Sequence, residues 1–152
     1  MAGVVVIGYD GSSHAQRAVD VAARVLRVDG ALVVHVWHVP IAAIEQPPLA
    51  MPGPPTDEEA AELERVARAT AEEGAGRARA AGLAAEADVE RGASADDIAK
   101  ALLDVAEARR AEVVVVGRRG MSRLKAAVLG SVSDAAVRDG RAPVLIVPVP
   151  HG

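Results

Sequence analysis

The sequence predicts an α/β fold, a parallel sheet covered by helices, and three observations carry that prediction. Short runs rich in Val, Ile and Leu alternate with segments whose apolar residues repeat at helical spacing, the pattern of successive βαβ units. The chain is 51% apolar but only 1% aromatic, so its core must be built from Val, Leu, Ile and Ala. Aliphatic strands of this kind suit a parallel sheet, which is buried on both faces and reads as continuous apolar runs. At 152 residues the chain has the size of one domain, expected to span residues 1–152.

Residues 4–9 form the first predicted strand, ending in Asp10-Gly11-Ser12-Ser13, a turn able to cap a helix. Ala15, Ala18, Val19, Ala22, Val25 and Leu26 then recur at helical spacing, with Gly30 read as the stop. Residues 32–37 form the second strand. Positions 40–55 hold six prolines and read as an irregular surface excursion. Thr56 and Glu59 make a capping box for a long helix running towards Ala81 and stopped by Gly82. Gly74 and Gly76 weaken the middle of that helix, and the charges from Glu58 to Glu73 read as its wet face.

Residues 83–90 form a third strand, poor in β-branched residues. Ser94 with Asp97 caps a third helix carrying Ile98, Ala101, Leu102 and Val105 on one face. Residues 113–116 are the fourth strand, 131–139 a short fourth helix, and 144–147 a fifth strand between Pro143 and Pro148. Proline cannot donate to a ladder, so those flanks favour a sheet edge or an interface.

Composition excludes several function classes. The net charge of −4, from 17 basic and 21 acidic residues, argues against a general nucleic-acid binder. One Trp, one Tyr and no Phe leave no base-stacking platform. The absence of cysteine removes disulfides, thiolate zinc sites and thiol nucleophiles. The N-terminus lacks a basic region and cleavage site, and no apolar run approaches the roughly 18 residues of a membrane span. A cytoplasmic protein without membrane or nucleic-acid partners is the expectation.

The fourth strand runs into Gly117-Arg118-Arg119-Gly120, then nine residues, then Gly130-Ser131-Val132-Ser133 at the start of a helix. Glycines allow close approach of the backbone to a ligand, and unpaired first-turn amides suit a phosphate. Ligands of open parallel sheets bind beyond the carboxyl ends of strands, where strand order reverses. If strands one and four are neighbours, the Asp10-Gly11-Ser12 turn and the glycine-serine segment border one cleft. That cleft would suit a nucleotide, with the nucleoside near Asp10 and phosphates near Gly130, Ser131 and Ser133. Neither a GxxxxGK[ST] loop nor a GxGxxG turn is present.

These motifs resemble the universal stress protein family. Gly117, Gly120, Gly130 and Ser131 fill every fixed position of that family's ATP-binding pattern, G-x2-G-x9-G-[ST]. The Asp10-Gly11-Ser12 turn, His35-Val36 in the second strand and the closing Ala142-Pro143-Val144-Leu145-Ile146-Val147 also look like family positions. The resemblance covers the chain apart from the proline-rich insertion. It implies a three-layer Rossmann-like open sheet of five parallel strands in the order 3-2-1-4-5, with four helices. It implies that Tyr9, Asp10 and Gly11 lie by the nucleoside and that Val36 packs on adenine. Val116, Gly117, Arg119 and Gly120 would meet ribose and phosphates, and Gly130, Ser131, Val132 and Ser133 would hold the phosphates. Mg²⁺ or Mn²⁺ would accompany the phosphates, and a homodimer would form through Val144 to Val147.

Arg118 and Arg119 depart from the usual smaller residues and either clamp polyphosphate or face water. The proline-rich insertion reads as a partial cover for the base. His35 and His38 suit no common metal because they point to opposite faces, and both read as core or surface. His14 reads as solvent-exposed, and Arg123 and Lys125 as solvated. No catalytic residue stands out. The expected function is therefore an ATP-dependent regulatory or stress-response protein. Its alternatives are a slow ATP hydrolase with Asp10 or His14 positioning water, a nucleotide-free dimeric scaffold, or a binder of AMP or cyclic AMP.

Overall fold

The computed structural model describes residues 3–37, 55–118 and 131–148. The elements follow in the order β1 (Gly3–Gly8), α1 (Ser13–Val25), β2 (Val28–Trp37), α2 (Asp57–Ala80) and β3 (Ala84–Arg91). Then come α3 (Ala95–Ala108), β4 (Val113–Gly117), α4 (Ser131–Asp139) and β5 (Val144–Val147). The five strands form one sheet in the order β3-β2-β1-β4-β5, and every pairing is parallel. This is the Rossmann-like order expected, and it makes β1 and β4 neighbours.

Alternation along the strands builds two cores. Val5, Ile7 and Tyr9 of the β1 segment, Val33 of β2 and Val115 of β4 face α1 and α2, meeting Ala18, Ala22, Ala75 and Ala78. Val6, Val34, Val36, Val114 and Val116 face the other way onto Leu102, Leu103 and Ala106 of α3, with Val132 of α4 beside them. Alanine on the helices lets them approach strands filled with branched residues. Tyr9 is the one aromatic ring among the described residues of these two clusters.

Both capping boxes form. Thr56 Oγ1 accepts from Glu59 N while Glu59 returns a bond to Thr56 N, and Ser94 with Asp97 does the same for α3. Gly82, with φ +100°, ends α2 as expected. Three expectations change. Gly30 lies inside β2 rather than stopping α1, which ends when Leu26 turns extended. The sheet register shifts between Gly3 and Val4, opposite Val28 and Gly30, so β2 starts earlier than its apolar run. In α3 the fully buried side is Ala99, Leu102, Leu103 and Ala106, with Ile98, Ala101 and Val105 only partly covered. The glycines of α2 do not interrupt it, because Gly74 packs on Tyr9 and Val33. The proline-rich insertion up to position 54 lies outside the described residues.

Candidate functional site

β1 gives way to a tight turn whose three residues each have a separate task. Asp10 Oδ1 accepts from Ser12 N at 3.0 Å, Gly11 takes φ +80°, and Ser12 Oγ accepts from Ala15 N at 3.1 Å to cap α1. β4 leaves the sheet through Gly117, pressed against the first turn of α1. A Cβ at Gly117 would stand 2.9 Å from His14's carbonyl group and Cβ, so a side chain there would push α1 away. Arg118 N donates to Val147 O at 2.9 Å, holding the exit of β4 against β5.

Ser133 is 2% exposed, and its Oγ donates to Gly117 O at 2.9 Å. This bond fastens the start of α4 to the end of β4. The hydroxyl hydrogen is thereby committed to the fold, and only its lone pairs remain for other contacts.

Between these turns lies a cavity of about 530 Å³ at the carboxyl edge of the sheet, where the strand order reverses. It is lined by eight of the residues predicted from sequence: Tyr9, Asp10, Val36, Val116, Gly117, Ser131, Val132 and Ser133. Gly11 shapes the turn without lining the cavity. Arg119, Gly120 and Gly130 lie outside the described residues, as do His38, Arg123 and Lys125. The ladder between β1 and β2 ends at Gly8 opposite Val34, prolonged only by Tyr9 N donating to Val34 O at 2.9 Å. β2 runs on to Trp37, so its last residues border the cavity.

Other walls were not legible from local sequence. His35 and Trp37 join from β2, Leu63 and Val66 from α2, and Ile98 and Leu102 from α3. The helical residues carry an amphipathic signal that looks like ordinary core. His35 is half-buried, and its Nδ1 lies 2.8 Å from Tyr9 O. His14 is also half-buried rather than exposed, and its Nδ1 is buried without a hydrogen-bond partner among the described residues. The Arg91 guanidinium sits 4.6 Å from the centroid of the Trp37 ring.

Tyr9 is 3% exposed and donates its hydroxyl hydrogen to Glu73 Oε1 at 2.7 Å. Burial, then the Glu73 carboxylate, pushes its phenol up to about 12. It stays neutral across the physiological range and acts as a wall. Asp10 is the cavity's one carboxylate among the described residues. Those residues contain no group of three His, Asp or Glu able to grip a metal, and no helix long and apolar enough to cross a membrane.

A family model described as the universal stress protein family matches residues 1–148. The "Universal stress protein in QAH/OAS sulfhydrylase 3'region" of Thermus aquaticus is 34% identical, over 94% of this chain and 96% of that protein. A universal stress protein solved in complex with cAMP is 27% identical, with a TM-score of 0.63 and 97% of each chain covered. A family member from Burkholderia pseudomallei has a TM-score of 0.68 at 20% identity, again over 97% of each chain. A match over nearly the whole sequence, together with the strand order, establishes that the chain belongs to the universal stress protein family.

Proposed function

We propose that this chain binds an adenine nucleotide, ATP in the first instance, in the cavity at the carboxyl edge of the sheet. The observation that carries the reading is the convergence of Tyr9, Asp10, Val36, Gly117 and Ser131 on one cavity at the strand-order reversal. The nucleoside lies at the ends of β1 and β2, beside the apolar side chains of Val34, Val36, Leu63 and Val66. The phosphates lie towards Gly117 and the first turn of α4, whose unpaired amides favour an anion. Ser131 supplies a hydroxyl, and Ser133 holds the Gly117 turn in place. Gly120, Gly130 and the Arg118-Arg119 pair complete the phosphate side.

Mg²⁺ or Mn²⁺ accompanies the phosphates. A hard cation bound mainly through phosphate oxygens and water needs only one or two carboxylates, a demand Asp10 can meet. Efficient phosphoryl transfer needs a group that orients the nucleophile as well as charge clamps. The cavity has clamps in prospect, and among the described residues the phosphate side at Gly117 and Ser131 carries no base of its own, which favours a cytoplasmic regulatory role in the stress response over rapid hydrolysis.

Calorimetric titration with ATP and Mg²⁺ tests the reading. We expect binding below millimolar concentration, lost in the Gly130→Val, Ser131→Ala double variant without loss of fold by circular dichroism. Absence of binding at millimolar ATP would leave the nucleotide-free scaffold. The relative solved with cAMP, 27% identical, gives a second reading in which the site takes a monophosphate such as AMP or cyclic AMP. Tighter binding of AMP than of ATP would decide for it.

A further inference from the structure

One ring nitrogen in the cavity has its role dictated by its own hydrogen bonding. His35 Nδ1 lies 2.8 Å from the Tyr9 carbonyl oxygen. A carbonyl oxygen only accepts, so the hydrogen sits on Nδ1 and the neutral ring presents a lone pair at Nε2. Nε2 makes no hydrogen bond to a described residue, and the sole buried side-chain polar atom without a partner among those residues is His14 Nδ1. Nε2 of His35 is therefore accessible, on a residue that lines the cavity.

Its surroundings suit a flat base. Side chains alternate along a strand, which puts His35 on the side of the sheet that Val33 and Tyr9 turn to α2. Leu63 and Val66 complete that side of the cavity. β1 separates β2 from β4, which puts His35 two strand spacings, about 10 Å, from the phosphate-side exit at Gly117. An acceptor at this end faces the base rather than the phosphates.

We infer that His35 Nε2 accepts a hydrogen bond from the exocyclic amino group of a purine and so selects amino-bearing over keto-bearing bases. The inference rests on the nucleotide reading above. A keto oxygen in the same place sets lone pair against lone pair and leaves two acceptors unsatisfied, whereas an amino group satisfies both.

The test is calorimetric binding of AMP, IMP and 2′-deoxy-AMP to the intact protein at about pH 8, above the ordinary range of imidazole titration. AMP should bind about 10-fold or more tighter than IMP, with 2′-deoxy-AMP close to AMP. His35→Gln, whose amide can turn to donate to a keto oxygen as well as accept from an amino group, should narrow the preference. His35→Phe should bring the AMP-to-IMP ratio close to one. Nitrogen-15 spectra of the unmodified ring supply a readout independent of any variant's folding. They should show the Nδ1–H tautomer in the free protein and a shift of Nε2 with AMP but not with IMP.

Equal binding of AMP and IMP, or a ratio that survives in His35→Phe, overturns the inference and leaves the nucleotide site standing. A loss with 2′-deoxy-AMP but not with IMP also overturns it, by placing the donor on the ribose. Failure of all three ligands to bind at millimolar concentration overturns the nucleotide reading itself.

Discussion

Single residues set the inner surface of the cavity, and two glycines of one helix show how. A Cβ on Gly74 would fall 2.7 Å from the Tyr9 ring and 2.8 Å from Val33, whereas one on Gly76 meets nothing within 4 Å. Gly76→Ala should therefore stabilise the protein by up to about 1 kcal/mol through helix propensity alone. Gly74→Ala should destabilise by about 1–2 kcal/mol, since overpacking against Tyr9 outweighs the same propensity gain. Chemical denaturation of both variants checks the pair, and similar signs would refute the packing argument. Tyr9 offers a second prediction. Its phenol, normally titrating at 10.0, should ionise near pH 12, readable from near-ultraviolet absorbance because the chain has no other tyrosine. Because the folded value is the raised one, Tyr9's contribution to stability is complete below about pH 10 and lost as pH rises through 12. Glu73→Gln should lower the midpoint without restoring the ordinary value, because burial is the larger cause.

At the scale of elements, helix ends were the most legible part of the sequence because their chemistry is local. Thr56 with Glu59 and Ser94 with Asp97 act within one turn, so four residues suffice to read them. The strand β2 was harder, since Gly30 sits in a register shift against β1 that only the paired strand reveals. The same divide runs through the site: the Asp10 turn and the start of α4 announce themselves by spacing. Leu63, Val66 and Ile98 become walls only when α2 and α3 are laid over the sheet. The C-termini of α2 and α3 share one motif with different residues. Gly82 N and Leu83 N bond back to Arg79 O and Ala78 O, and Arg110 N and Ala111 N bond to Glu107 O and Ala106 O. Arg110 takes φ 52° where Gly82 takes φ 100°, a region that costs a side chain about 1–2 kcal/mol. Arg110→Gly should raise stability by about 0.5–1 kcal/mol after the added freedom of the unfolded chain is counted. No gain in denaturation midpoint would show that the Arg110 side chain compensates elsewhere.

For the whole molecule, strand order decides what each edge of the sheet faces. β3 forms one edge and β5 the other, and β5 is four residues long with prolines on both sides. Leu145 and Ile146 pack inward onto the two cores, leaving the peptide edge of β5 as the pairing surface. If that edge joins two copies, sedimentation at micromolar concentration should give twice the 15.6 kDa of one chain. Val147 turns its carbonyl to Arg118 N of the β4 exit, so the alternate residue Ile146 faces the free edge, and Ile146→Pro, which removes an edge donor, should shift the species to the monomer. A monomer in the unaltered protein would remove the proposed interface. Surface ion pairs join neighbours within each helical layer, among them Arg77 with Asp20 across α1 and α2 and Arg141 with Asp104 of α3. Exposed pairs contribute little individually, so added salt should move the unfolding midpoint only slightly.

The chain's one tryptophan and one tyrosine both line the same cavity, and it has no phenylalanine. All of the protein's intrinsic ultraviolet emission therefore originates at the walls of a single site, with the Arg91 cation held over the Trp37 ring. A ligand entering the cavity should change that emission directly, without an attached dye. Conversely, an unfolding curve followed by fluorescence reports the loss of the cavity, and its agreement with far-ultraviolet dichroism would show that cavity and sheet melt as one unit.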